Sequence, residues 1–283
     1  MQLTRHESAD AFLAEAGEFL AAREAEHNLV LGLTSRLQRV PLLYGEPAYF
    51  ATVEEGGQVV GASMRTPPHN LIVTEIRDDG AIPLLLEDAR SVYGTLPGVI
   101  GPTAPVGRFA EQWREATGAQ AHVAIQQRCF RADHVEVPTN VAGAMRDYEP
   151  RDRELAVRWM DAFVDEALHG PEPDSAEAFV DRRAEDPDGG LVLWEDGGET
   201  VSMAGFGGRT PNGIRIGPVY TPPEQRARGY ASALTAGLTQ RLLDQGLRFC
   251  FLFTDLANPT SNSIYLRIGY RPVCDVDLWV FSG

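Results

Sequence analysis

Residues 216–231 read Ile-Gly-Pro-Val-Tyr-Thr-Pro-Pro-Glu-Gln-Arg-Ala-Arg-Gly-Tyr-Ala. An apolar, strand-like run stops at Pro222-Pro223. A short loop with two arginines and a glycine follows, and then a helical pattern begins. That order makes an anion site. The first turn of a helix leaves its amides unpaired, and the helix dipole adds partial positive charge there. Phosphates bind such ends. Gly229 lets the backbone come close to a ligand, Ala231 leaves room for it, and Arg226 and Arg228 offer charge-assisted donors. No Gly-Lys-Ser/Thr follows, which excludes a Walker loop. The three-glycine spacing of a dinucleotide fingerprint is also missing.

A second segment carries the other chemistry. Phe249-Cys250-Phe251-Leu252-Phe253-Thr254 is an apolar run of strand length. Asp255-Leu256-Ala257-Asn258-Pro259 comes next, and a helical stretch then holds Tyr265 and ends at Gly269-Tyr270. Asn258 can cap that helix, Pro259 suits its first position, and Gly269 suits its end. Arg226-x-x-Gly229-x-Ala231 resembles the pyrophosphate loop of the GNAT family of acyl-CoA-dependent N-acyltransferases. The strand followed by an Asn-started helix, with Tyr265 seven residues after Asn258, resembles that family's later motif. Order and separation both agree, and the resemblance covers residues 145–283.

The resemblance implies a mechanism. The fourth and fifth strands splay apart and the pantetheine arm lies between them, so Val219, Tyr220 and Thr221 line the cofactor. A backbone N–H of Val219 or Tyr220 polarises the thioester carbonyl. Arg226, Ala227, Arg228, Gly229, Tyr230 and Ala231 cradle the pyrophosphate, and Asn258 contacts the pantetheine, caps its helix, or does both. Tyr265 is the general acid for the departing thiolate. The general base is open. The fourth strand, from Gly213 to Gly217, has no carboxylate. Asp255 is the nearest candidate; Asp161, Asp165, Glu166 and His169 are others, and a water relay is a further option. The implied function is acetyl transfer from acetyl-CoA to a primary amine, with a small-molecule acceptor and no metal. The alternative is a non-catalytic acyl-CoA-binding regulator. The loops at residues 168–173 and 186–190 are expected to set acceptor choice.

Composition bounds these readings. The chain has 283 residues, and its formal net charge of −15 opposes nucleic acid and anionic membranes and favours cationic substrates. No apolar run of about eighteen residues is present, so no transmembrane helix is expected. The start of the chain is polar and acidic, and no secretory signal is visible. Cys129, Cys250 and Cys274 are far apart, as expected of free thiols in a reducing cytoplasm. Every one of the 25 basic residues is arginine, so the chain has no lysine side chain to acylate. Monomer and homodimer both remain open.

The elements that must position these residues recur twice. Helices are expected at 9–26, 29–39, 83–93 and 108–117, with strands at 48–53, 59–63, 71–76, 99–100 and 121–132. The second half repeats the order. Helices fall at 151–166, 175–184, 224–245 and 259–268, and strands at 191–195, 201–208, 214–220, 249–254 and 273–281. The expected fold is therefore α/β (α+β): two tandem GNAT lobes, each a mixed, mostly antiparallel sheet flanked by helices. The first lobe is expected at 1–137, a linker at 138–150 and the catalytic lobe at 151–283. The first lobe reads as degenerate. Asp78 and Asp79 stand where phosphates would bind, and Phe109, Ala110 and Trp113 replace the Asn–Tyr arrangement.

Overall fold

The computed structural model describes residues 1–167 and 174–283. In chain order the elements are β1 (Gln2–Arg5), α1 (Ala9–Ala21), α2 (Asn28–Arg39), β2 (Tyr49–Glu55), β3 (Gln58–Arg65), β4 (Leu71–Val73), α3 (Ala81–Tyr93), β5 (Gly98–Pro102), α4 (Thr103–Thr117) and β6 (Gln120–Ala132). They continue with β7 (Ala144–Asp147), α5 (Arg153–Ala167), α6 (Ala176–Glu185), β8 (Gly190–Asp196), β9 (Glu199–Gly207), β10 (Gly213–Tyr220), α7 (Tyr230–Asp244), β11 (Phe249–Asp255), α8 (Pro259–Arg267) and β12 (Arg271–Ser282). The chain forms two compact units. One is Met1–Gln127 with Cys274–Gly283, and the other is Arg128–Val273.

The boundaries differ from those expected. Residues 138–150 are not simply a linker, because they contain β7, which pairs antiparallel with β8 inside the second unit. Arg146 of β7 anchors this edge. Its guanidinium donates to Asp152 (2.7 and 2.9 Å), Glu195 (2.8 Å) and Thr200 (3.1 Å). That pairing holds the buried Asp152 carboxyl below its ordinary pKa. The closing strand also falls elsewhere. Residues 276–280 of β12 pair antiparallel with residues 102–98 of β5, which places the end of β12 in the first unit.

The two units share a pairing scheme. In the first, β1 pairs β2, β2 pairs β3 and β3 pairs β4, all antiparallel, and β4 then pairs β5 in parallel. In the second, β7 through β10 are antiparallel neighbours, and β10 pairs β11 in parallel. Each unit also buries apolar residues on both sheet faces. In the first unit, Phe12, Leu20, Leu31 and Met64 form one cluster, and Leu85, Phe109 and Trp113 another. In the second, Leu234, Leu238, Cys250, Tyr265 and Tyr270 pack on the α7–α8 face, and Trp159, Val180, Leu193 and Tyr220 on the α5–α6 face.

Several element ends moved for local reasons. α1 stops at Ala21, five residues before the expected end. The Leu20 carbonyl is taken by the Arg23 amide and the His27 ring, which breaks the i→i−4 ladder. The expected helix at 224–245 is split into a 3₁₀ turn (Pro223–Gln225), a loop and α7.

Candidate active site

The site is built where β10 and β11 stop being neighbours. They pair in parallel only at Gly213↔Phe249, Ile214↔Cys250 and Arg215↔Phe251. Beyond Arg215, β10 carries one extra residue against β9. The register runs Ile216↔Phe206 and then Val219↔Ala204, so Gly217 and Pro218 together face Gly205. Such a bulge reverses which face each later side chain takes. Ile214 and Ile216 point to the α7–α8 cluster, and so does Val219, whereas Tyr220 turns to the α5–α6 cluster. The end of β10 therefore presents one side chain to each face, beside a gap in the pairing with β11.

The loop after β10 has the backbone of an anion cradle. Ala227 has φ +63° and Gly229 has φ +86°, both in the left-handed region. Left-handed residues in such a turn converge successive N–H groups into a concavity. At Gly229 an added Cβ would lie 3.0 Å from Val141 Cγ2, on a backbone that only glycine adopts easily. Gly229 caps α7 with no side-chain acceptor, and the first amide to bond back is that of Ala233, on Gly229 O (3.0 Å). The amides of Tyr230, Ala231 and Ser232 thus precede the helical ladder.

The side chains of this loop are more committed than their sequence suggests. Arg226 Nε donates to Thr221 O (2.9 Å), and its Nη2 donates to Glu166 (2.5 Å). The Tyr230 hydroxyl donates to Asp196 (2.6 Å), while its ring is buried in the α7–α8 cluster. The Thr221 and Ser202 hydroxyls share a hydrogen bond (2.8 Å), and Ser202 also donates to Tyr220 O (3.0 Å). Arg228 and Ala227 are exposed.

Tyr265 is buried, edge-on to Tyr270 with centroids 6.0 Å apart, and on the same face as Val219. Its hydroxyl makes no hydrogen bond among the described residues. Burial pushes the phenol up to about 12. Asn258 caps α8, its side chain accepting from Ser261 N (3.0 Å). Asp255 shapes the turn before it, with Oδ1 accepting from Ala257 N (2.7 Å). Asn262, which sequence reasoning did not single out, donates to Asp255 O (2.9 Å) and Asn258 O (2.8 Å) and leaves its buried Oδ1 without a partner. Its spacing of four from Asn258 was the available signal. Of the alternative bases, Asp161 and Asp165 are exposed on α5. His169 and the loop at 168–173 lie outside the described residues. Among the described candidates, Glu166 is the one that touches the expected site, through Tyr220 and Arg226.

The equivalent place in the first unit is self-occupied. Gly80 N donates to Asp78 Oδ1 (3.0 Å) at the start of α3, and Asp79 pairs with Arg108 (2.8 Å).

Residues 154–270 match the family model of the acetyltransferase (GNAT) family. Over that segment the chain is similar to the acetyltransferases of this family. No curated protein matches the sequence. Among solved structures, a Drosophila protein is similar at 14% identity, covering 99% of this chain and 98% of its own, with a TM-score of 0.70. A GCN5-related N-acetyltransferase from Sphaerobacter thermophilus is 18% identical, covering 98% and 94%, with a TM-score of 0.59. A GNAT-family acetyltransferase from Colwellia psychrerythraea is 13% identical, covering 99% of both chains, with a TM-score of 0.56. These likenesses show the fold over nearly the whole chain. Among the described residues no cluster of side chains could hold a metal ion, and no helix is long and apolar enough to cross a membrane.

Proposed function

We propose that the second unit transfers an acetyl group from acetyl-CoA to a primary amine of a small molecule. The observation that carries this reading is the juxtaposition at the end of β10: strand pairing stops at Arg215, the uncapped start of α7 follows, and Tyr265 lies on the same face as Val219. The cosubstrate supplies an acetyl group activated as a thioester. The chain's part is to hold it and to manage protons. The amides of Tyr230 and Ala231 and the left-handed turn at Ala227 and Gly229 fit a pyrophosphate, needing no side-chain charge to do so. The exposed Arg228 adds attraction from the rim. The unpaired edge of β10 at Val219 and Tyr220 offers backbone groups to an extended arm, as a strand edge does to an added strand. Asn258 and Asn262 lie at the start of α8, the helix that carries Tyr265.

Tyr265 holds its proton at every physiological pH and offers it to the departing sulfur, its hydroxyl spending none of its donor capacity elsewhere. Asp255 is first a turn-forming residue, since its carboxylate holds the Ala257 amide. The net charge of −15 favours a cationic acceptor over an anionic one. The test is thiol release from acetyl-CoA over a panel of primary amines, with product mass confirming transfer of 42 Da, about the mass that acetyl adds in place of hydrogen. Release with no amine in the panel, or none that depends on amine, refutes the reading.

A further inference from the structure

The acetyl-transfer reading leaves one cluster unused. At the end of β10, on the α5–α6 face, the Tyr220 hydroxyl donates to Glu166 Oε1 (3.1 Å) and Arg226 donates to Glu166 Oε2. The Arg226 guanidinium carbon lies 5.9 Å from the centre of the Tyr220 ring, and the ring packs on Trp159 at 6.1 Å. Tyr265 and Val219 belong to the opposite face. The cluster therefore flanks the gap in strand pairing from the side that the proposed general acid does not occupy. That is the side left for a nucleophile.

The electrostatics of this place call for a cation. The last described turn of α5 carries Asp165 and Glu166 and no basic residue. The carboxyl end of a helix is already the negative end of its dipole, so two carboxylates there repel the helix as well as each other. Among the described residues, the cation paired with Glu166 is Arg226, which arrives from the loop before α7. That same loop leads into the uncapped amides of α7. One guanidinium thus stands between a carboxylate that it holds now and an anion that the helix start is shaped to receive.

We infer that Glu166, oriented by the Tyr220 hydroxyl, is the docking point for the ammonium group of the acceptor, and that Arg226 occupies it until a pyrophosphate-bearing ligand draws the guanidinium away. This rests on the acetyl-CoA reading given above. Once Arg226 turns to phosphate, the carboxylate keeps the Tyr220 donor and regains lone pairs for a cation, and an ammonium with three donors fits them. The two ligands then help each other. By linkage, whatever frees Glu166 for the amine also frees Arg226 for the phosphate. The acceptor class is a small molecule bearing a positively charged primary amine.

Titration of the full chain with CoA, followed by calorimetry, reads the competition by its sign. Glu166→Gln removes Arg226's present partner and is expected to tighten CoA binding by about two- to five-fold, the range for a half-exposed ion pair. Arg226→Gln is expected to weaken it, and adding Glu166→Gln to that variant is expected to change nothing more. If Glu166 merely braces the loop, Glu166→Gln weakens CoA binding instead. Weaker or unchanged binding in that variant overturns the inference. With the acceptor found by the amine panel, Glu166→Gln is expected to raise the amine KM by about tenfold or more, with no rise in the KM for acetyl-CoA, and Glu166→Asp to recover part of the loss. An unchanged amine KM also overturns it. A wild-type chain that binds no CoA defeats the acetyl-CoA reading itself, an outcome distinct from a wrong sign in the Glu166 variant.

Discussion

Replacing Tyr265 by Phe removes one oxygen that holds no hydrogen bond among the described residues. The ring stays against Phe130 and Tyr270, with centroids 6.4 and 6.0 Å away. The melting temperature near neutral pH is therefore expected to hold. Catalysis is expected to fall. The phenol is pushed up to about 12 by burial, whereas an ordinary thiol titrates near about 8.5. Full proton transfer to the thiolate is then uphill by about 5 kcal/mol. The proton must move as the carbon–sulfur bond breaks, and the benefit belongs at the low end of general-acid catalysis, about 10²-fold in kcat. Stopped-time assays of thiol release, on an acceptor for which chemistry limits the rate, measure this. Both kcat and kcat/KM should fall together, with little change in affinity for acetyl-CoA. An unchanged kcat refutes the role. The same burial gives an independent check. A raised folded pKa means stability that is complete below the unfolded value near 10 and is lost as pH rises through about 12. A phenol raised from 10 to about 12 corresponds to about 3 kcal/mol of stability at stake across that window. Tyr265→Phe should thus match wild type in stability at pH 8 and exceed it near pH 11.

Gly229→Glu should abolish CoA binding, because it sets a negative side chain at the start of α7; its left-handed backbone also predicts a cost of about 1 kcal/mol in stability. A normal thermal shift with CoA in that variant would place the phosphate site elsewhere. Calorimetry with acetyl-CoA should return about one site per chain, since Asp78 already occupies the Gly80 amide in the first unit; a value near two would defeat the idea of a self-occupied site. Arg146→Met should destabilise the chain by about 3 kcal/mol by stranding the buried Asp152, as urea melts would show. Asp152 is held below its usual value by Arg146, so its contribution is present above about pH 4 and lost as pH falls through the depressed folded value. The acid limb of stability between pH 4 and 2 should therefore be shallower in Arg146→Met than in wild type.

Much of this architecture was legible. Both half-chain repeats follow from alternating apolar strands and amphipathic helices, and the shared pairing scheme of the two units bears out that reading of the fold. The loop at 226–231 and the Asn258–Tyr265 spacing were visible because each rests on local chemistry. β1 and β7 were missed because each has only four residues, with exposed ends and no alternation to see. The bulge at Gly217 and Pro218 was hidden, since a register shift exists only relative to the partner strand. The start of α7 was misplaced because Ala227 carries no residue-level sign of a left-handed backbone. Glu166 could not be separated from Asp161 and Asp165, because its partners, Tyr220 and Arg226, lie more than fifty residues away in sequence. The boundary of the second unit failed for the same reason: β12 reads as a strand, but nothing local says that β5 is its partner.

That partnership sets an order of assembly. Synthesis runs from the first residue onward, so β5 emerges long before the strand that covers its edge. Residues 276–280 are joined to the chain only after every residue of the second unit has been made. Until then β5 shows bare amides and carbonyls to the surroundings, the kind of edge on which strands from other chains can add. The first unit to be translated is therefore the last to close. A fragment cut after residue 127 or 137, at what looks like a domain's end, would carry that open edge permanently, whereas one that kept residues 274–283 within reach would not.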